Sequence, residues 1–372
     1  MRDSSGWAAR EIETLSQFDA AVGSGFDLAR AVVQSLDLRG REEVLALCRV
    51  DAAMFMGCEL GAVAADDLRS RGALLFPRIP DSPLDPYRAS LYRAINLYDT
   101  MPGGTYAESF DAIAYAWTRT CGEVSTLGKT LVAALHDHAI SDALNEYIEG
   151  LGPQQVVGIM GGHAMARGSA EYERTAALGM SLAEAGFLVA SGGGPGAMEA
   201  ANLGARLAPH GSDALAEALE MLARVPSFRP SIDDWVRVAF DVKSKFAGGA
   251  DTLGVPTWFY GHEPPNAFAT RIAKYCSNAV REATLLDLCR GGLIFLPGAA
   301  GTVQELFQAV TGNYYAVDPG SITPLVLVGV EQWNETLPAW PLLRSLASGR
   351  PMEKSIALVE TVEEAGAWLA AR

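Results

Sequence analysis

From about residue 154 onward the chain alternates short, continuous apolar runs with longer amphipathic stretches. Runs such as Val156-Val-Gly-Ile-Met160 and Gly292-Leu-Ile-Phe-Leu296 offer no polar face, which suits strands covered on both sides. The pattern predicts strands at 155–160, 187–191, 235–241, 255–260, 292–296, 324–328 and 355–359. Between them a helical period predicts helices at 169–185, 196–207, 265–289, 302–312 and 340–348, with a last one at 362–371. Strands alternating with helices define an α/β fold, here a Rossmann-like doubly wound parallel sheet over residues 151–372. Ligands of such sheets are expected at the carboxyl ends of the strands. Residues 210–230 interrupt the alternation with a polar-flanked helix at 213–223, read either as a lid over the sheet edge or as a surface excursion.

The first 150 residues carry a different pattern. Helical periodicity marks 10–22, 27–36, 107–118 and 123–149, so the expectation for 1–150 is a mostly helical accessory region. Short apolar pieces between 36 and 76 recur without a clean period. The proline-rich stretch 77–87 is too restricted for regular structure.

Three strand-to-helix turns carry candidate chemistry. The first, Met160-Gly-Gly-His-Ala-Met-Ala-Arg-Gly-Ser169, puts Gly161 and Gly162 where the chain must turn sharply, and Arg167 and Ser169 either reach a phosphate or face water. In the second, Gly192, Gly193 and Gly194 precede Pro195 and allow backbone to approach a ligand without a Cβ in the way. Glu199 and Asn202 follow in the next helix and either contact a ribose or cap backbone. The third, Pro297-Gly-Ala-Ala-Gly-Thr302, bares the amides of Gly298, Ala299, Ala300, Gly301 and Thr302 at a helix start, where the macrodipole favours an anion. Glu305 lies about one turn further in, its side chain leaning back toward that loop. A fourth element contributes Trp258, Phe259 and Tyr260, which either stack on a planar base or fill the core, and His262 and Glu263, which either cap or read a base. Arg281, in the preceding helix, supplies a permanent charge for a carboxylate or phosphate.

Composition narrows the classes of partner. A formal net charge of −15 opposes broad attraction to DNA, RNA or anionic lipid. No apolar run reaches the roughly 18–20 residues that span a bilayer. The N-terminus has no basic-then-apolar leader pattern, which points to a cytoplasmic address. The five cysteines, Cys48, Cys58, Cys121, Cys276 and Cys289, form neither a CxxC pair nor a zinc-spaced cluster, so reduced, mostly buried thiols are expected and no metal.

The pairing of Ser-Gly-Gly-Gly-Pro-Gly-Ala-Met-Glu-Ala-Ala-Asn at 191–202 with Pro-Gly-Ala-Ala-Gly-Thr-Val-Gln-Glu at 297–305 resembles the LOG-type nucleotide phosphoribohydrolases, and most of all the larger bacterial nucleotide 5′-monophosphate nucleosidases of that superfamily. The resemblance covers about residues 155–330. It implies hydrolysis of the N-glycosidic bond of a nucleoside 5′-monophosphate to free base and ribose 5-phosphate, without a cofactor, by a homo-oligomer. By position, Glu305 and Arg281 match the family's catalytic glutamate and arginine, and Gly298, Gly301 and Thr302 its phosphate loop. Three positions depart from the pattern. Ala299 replaces the second loop glycine, Gln304 stands where many members carry a first glutamate, and Glu282 follows the arginine where plant-type members carry lysine. Alternatives from other classes are a non-catalytic nucleotide-binding or regulatory module and a carrier of a pterin-type cofactor.

Overall fold

The computed structural model describes residues 10–101, 103–120, 127–152, 155–260 and 263–372, so Cys121 and His262 lie outside the described residues. The chain divides into two compact units, Met1–Ser90 with Ser125–Ala143 and Leu91–Val124 with Leu144–Arg372. This differs from the expected cut at residue 150. The segment that opens the second unit is held inside it by Asp111, whose buried carboxylate accepts from Lys274 Nζ at 2.6 Å, Trp258 Nε1 at 2.9 Å and Tyr106 Oη at 2.8 Å. A buried charge with three donors is costly to pull away from its partners.

The first unit corrects the expectation of a mostly helical region. It contains four parallel strands in the order β1-β2-β3-β4: β1 at Glu11–Ile12, β2 at Val32–Gln34, β3 at Met54–Met56 and β4 at Leu74–Phe76. Helices α1 (Leu15–Gly23), α2 (Glu42–Leu47) and α3 (Ala62–Ser70) connect them. Residues 27–36, expected as helix, hold β2 instead. The register sets Val32 opposite Met54 and Met54 opposite Leu74, steps of 22 and then 20 residues.

The repeat is conformational. Arg30 and Ala52, 22 apart, have φ of 62° and 55°, and Ser35 and Gly57 have 55° and 63°. Amides at equivalent places reach one turn forward, Ser35 N to Met56 O and Gly57 N to Phe76 O, both at 2.8 Å. Leu28, Ala31, Val33, Leu36 and Leu38 share one apolar core with Val50, Ala53, Phe55 and Leu60 of the next turn. This is a short solenoid, in which each turn buries its apolar side against the next. Residues 77–87 form neither helix nor strand, as the prolines require.

In the second unit, α4 (Ala94–Leu97), α5 (Phe110–Thr120) and the C-terminal part of α6 (Leu127–Glu149) precede a seven-stranded, all-parallel sheet. Its order is β11-β10-β9-β5-β6-β7-β8, with β5 at Val156–Met160, β6 at Leu188–Ser191, β7 at Thr252–Gly254, β8 at Arg271–Ile272, β9 at Gly292–Phe295, β10 at Leu325–Val328 and β11 at Ile356–Val359. Helices α7 (Ala170–Glu184), α8 (Ala197–Leu207), α9 (Ser212–Ala223), α10 (Ile232–Lys245), α11 (Asn278–Leu288), α12 (Ala300–Tyr315), α13 (Ala339–Ala347) and α14 (Val362–Ala370) complete the unit. The chain runs outward from β5 through β8, then returns to β9 on the other side of β5. The doubly wound fold expected from the alternation is therefore the observed one, with its switch point between β5 and β9.

Three expectations fail here. Residues 235–241, read as a strand, lie within α10: Trp235, Val236, Ala239 and Val242 form its buried stripe, Ser231 caps it, and Asp233 and Asp234 occupy its first turn. The strand expected at 255–260 ends at Gly254, and the helix expected from 265 begins only at Asn278, with β8 before it.

Helices α7 and α8 pack backbone to backbone on the sheet. A Cβ on Gly204 would lie 1.7 Å from Ala176 O, and one on Gly179 would lie 2.3 Å from Ala201 O. Gly204→Ala should therefore cost at least the roughly 1–3 kcal/mol typical of overpacking. Gly23→Ala, with nothing within 4 Å of the added carbon, should leave stability unchanged or raise it. Denaturant midpoints of the two variants check this, and equal midpoints would refute the close-packing account. Among the described residues no helix is long and apolar enough to cross a membrane.

Candidate functional site

The carboxyl ends of β5 and β9 face a cleft of about 760 Å³, within the size range of small-molecule sites. Its walls include Gly161 and Gly162 after β5, the loop from Pro297 to Thr302 after β9, and Arg281, Glu305 and Tyr260. The two loops touch, Gly162 N donating to Pro297 O at 3.4 Å. A strand-order reversal thus produces the crevice, and residues 140 apart in sequence line it together.

The loop after β9 is shaped to receive an anion. Helix α12 starts at Ala300, and its N-cap, Ala299, provides no side-chain hydrogen bond. The first amides of a helix have no partner within the helix. Gly298 is packed under Thr302: a Cβ there would lie 2.1 Å from Thr302 Oγ1. Gln332, which also lines the cleft, donates from Nε2 to Gly298 O at 3.3 Å. Ala299 has φ −117°, extended backbone open to any residue, and its methyl is exposed, so the departure from glycine introduces no strain.

Glu305 projects from the second turn of α12 and Arg281 from the first turn of α11, which Ser277 caps through Val280 N. Arg281 Nη1 donates to Glu305 Oε1 at 2.7 Å, with both side chains largely removed from water. Burial pushes the Glu305 carboxyl above its ordinary value; Arg281 pulls it back, and the neighbouring Glu282 charge raises it again. Arg281 Nε is buried with no hydrogen-bond partner, a donor left over once Glu305 is satisfied.

The two remaining departures from the family pattern lie against each other. Gln304 Nε2 donates to Glu282 Oε2 at 2.6 Å. The buried Glu282 also accepts from Asn278 Nδ2 at 2.7 Å and from Tyr260 Oη at 3.2 Å. Of the aromatic trio, Tyr260 lines the cleft, Phe259 is exposed, and Trp258 is buried with its indole N–H on Asp111. His163 and Glu263 pair at the rim, 3.2 Å apart.

Other candidates are corrected by the structure. Glu199, expected in the site, is fully buried and held by Arg167 Nε at 2.9 Å and Tyr172 Oη at 3.0 Å. Arg167, offered for a phosphate, is consumed by that pair, by Trp235 O at 3.1 Å and by the Trp235 ring 4.4 Å away. Ser169 caps α7. Gly193 and Gly194, expected at the phosphate, turn inward: Gly193 N donates to Ser191 Oγ, and Asn266 holds both their carbonyls. A Cβ on Gly193 would lie 2.6 Å from Pro256 Cδ, so its freedom serves internal packing. Asn202 bonds Ser191 Oγ, Thr252 Oγ1 and Asn266 in the same buried network and reaches no ligand space. The segment after α9 is anchored, with Arg167 N donating to Pro226 O at 3.0 Å and Phe228 edge-on to Trp235. Gln332 and Asn278 were missed, and Glu282 was read only as a departure from the pattern; Asn278 and Glu282 share α11 with Arg281, whereas Gln332 reaches Gly298 through long-range packing.

Among the described residues the four cysteines are free, as expected, but Cys58 and Cys276 are only half-buried. Cys48 and Cys289 are buried, and burial pushes Cys58 up to about 11.

No family model matches the chain, and no curated protein matches it. Among solved structures, two of the molybdenum cofactor carrier protein from Chlamydomonas reinhardtii align with 59% of this chain. One is 19% identical, is covered over 99% of its length and has a TM-score of 0.36; the other is 18% identical, is covered over 98% and has a TM-score of 0.32.

The ion pair makes a checkable electrostatic statement. In carboxyl-detected NMR of the protein, Glu305 should titrate above its ordinary 4.5, and Arg281→Met should move it further upward. A midpoint at or below 4.5 would contradict the burial argument.

Proposed function

We propose that the protein hydrolyses the N-glycosidic bond of a nucleoside 5′-monophosphate, releasing free base and ribose 5-phosphate. One observation carries the reading: a water-depleted glutamate, bound by an arginine, shares a single cleft with an uncapped helix N-terminus. The amides of residues 298–302 take the 5′-phosphate, and that remote grip holds the sugar against Glu305. Breaking the C1′–N bond leaves the electron pair on the base and positive charge on the ribose, as in glycoside hydrolysis. Glu305 stabilises that charge and accepts a proton from the water whose oxygen bonds C1′. The base departs with a proton taken from solvent. A carboxyl raised toward the working pH is a better proton acceptor than an ordinary one, which supports this role. Arg281 keeps Glu305 ionised despite burial, and its unpartnered Nε is available to a substrate oxygen.

The test is chromatographic detection of base and ribose 5-phosphate from AMP, GMP, CMP and UMP. Glu305→Gln should abolish release while the circular dichroism spectrum is retained. Gly298→Ala, which forces Thr302 off the loop, should lower kcat/KM by more than about tenfold, because small misplacements at a reacting centre are expensive. Nucleosides lacking the phosphate should react poorly. Release should fall as pH drops through the Glu305 titration, since the working form is the carboxylate, with the acid limb above the ordinary glutamate value. Unchanged turnover in Glu305→Gln would end the hydrolase reading. Tight monophosphate binding without any base release would instead describe a nucleotide-binding module.

A further inference from the structure

The mechanism above uses the loop amides, Glu305 and Arg281; Tyr260, which also lines the cleft, belongs to a hydrogen-bonded cluster that it leaves unexplained. Tyr260 lines the cleft; the Arg281 guanidinium lies over its ring, 6.0 Å from the centroid, and Phe259 packs against it at 79° with centroids 5.4 Å apart, which leaves the other face of the ring for a ligand. Its hydroxyl is fixed at two points, donating to Glu282 Oε1 at 3.2 Å and accepting from Asn278 Nδ2 at 2.9 Å. The same Asn278 amide donates to Glu282 Oε1, so its orientation is determined: turned over, its oxygen would face a carboxylate. Glu282 Oε2 takes the Gln304 amide from α12, one residue before Glu305. A carboxylate buried among three donors is a rigid junction, because each donor would be left without its acceptor if it moved.

The geometry points to Glu282 as a positioning residue that builds a base-stacking wall. It locks the Tyr260 ring in the cleft and, through Gln304, ties that wall to the helix that presents Glu305. The ligand class this selects is a nucleotide with a planar aromatic base, lying with its face on Tyr260 and its phosphate at the loop. This inference rests on the nucleotide reading above and specifies what recognises the base. Stacking of a base on an aromatic side chain is sequence-tolerant, since every base has a π-face. The wall therefore discriminates nucleotides from bare sugar phosphates more than one base from another.

The test measures binding by calorimetry in the full chain carrying Glu305→Gln, with AMP, CMP and ribose 5-phosphate as probes. Tyr260→Ala should weaken both nucleotides about tenfold and leave ribose 5-phosphate within about twofold, the usual scale for a lost stacking partner. Gln304→Glu sets two carboxylates where 2.6 Å now separates an amide and a carboxylate, and should weaken the nucleotides by a similar factor. Glu282→Gln alone should have little effect, because Gln304 can turn its amide and donate or accept. The double exchange Glu282→Gln with Gln304→Glu restores a donor facing a carboxylate and should recover nucleotide binding to within about threefold. Merely structural damage in Gln304→Glu would weaken ribose 5-phosphate as much as the nucleotides.

The proposal is overturned if Tyr260→Ala binds AMP as well as its parent, or if nucleotides and ribose 5-phosphate weaken equally. It is overturned as well if the double exchange is no better than Gln304→Glu, or if the parent binds no monophosphate. The hydrolase reading fails separately: wild-type protein that binds AMP but releases no base removes hydrolysis and leaves the wall to be judged by the same titrations.

Discussion

A carboxylate taken out of water must lose its charge or be held by a cation or by several hydrogen-bond donors, and the second unit is arranged around that constraint at Glu305. Burial acts to protonate it; Arg281, 2.7 Å away, acts to keep it ionised. Each half of the pair comes from a helix that flanks β9, so the strand order, the cap at Ser277 and the start of α12 at Ala300 all have to be right for the two to meet. The loop under Thr302 and the Gln332 tie then set the distance from that pair to the exposed amides. Removing either partner would strand a buried charge, a change worth roughly 3–5 kcal/mol in comparable pairs.

The three glycine-bearing turns look alike in composition and do different work. After β9 the amides are uncapped and face the cleft. After β5, Gly161 and Gly162 let the first loop approach the third. After β6, Gly193 admits Pro256 and Asn266 holds the carbonyls of Gly193 and Gly194, while Gly192 borders the cleft. Its neighbour Glu199 is likewise spent on Arg167, a fully buried pair that organises the segment between α9 and α10.

The doubly wound sheet was legible because its central strands are continuous apolar runs bounded by glycine, and β5, β6, β9, β10 and β11 fall within a residue or two of where those runs lie. The stretch at 235–241 misled because Trp-Val-Arg-Val-Ala-Phe is a short apolar run broken only by Arg237 while also matching a helical stripe; the Ser231 cap and two first-turn acids were the deciding signal. Glu305, Arg281 and the third loop were visible as a local motif, and the structure brings them into one cleft. The inward role of Gly193, Gly194 and Glu199 was not visible, since it depends on partners at 167 and 266. Nor was the repeat in the first unit, where Leu28 answers to Val50, Val33 to Phe55 and Leu36 to Cys58. Only apolar character is kept at those places, and the second step is two residues shorter than the first.

That repeat has a consequence for how the first unit can vary. Each turn offers the next the same ladder of amides and the same apolar side, so the strand at one end is satisfied by any further turn of like pattern. Insertions or deletions of a whole turn would preserve the strand pairing, and the steps of 21, 22 and 20 residues between paired strands place changes of one or two residues in the connections, outside the ladder. Variation in the length of this part therefore falls into two kinds, whole coils added or removed and small adjustments taken up between the strands.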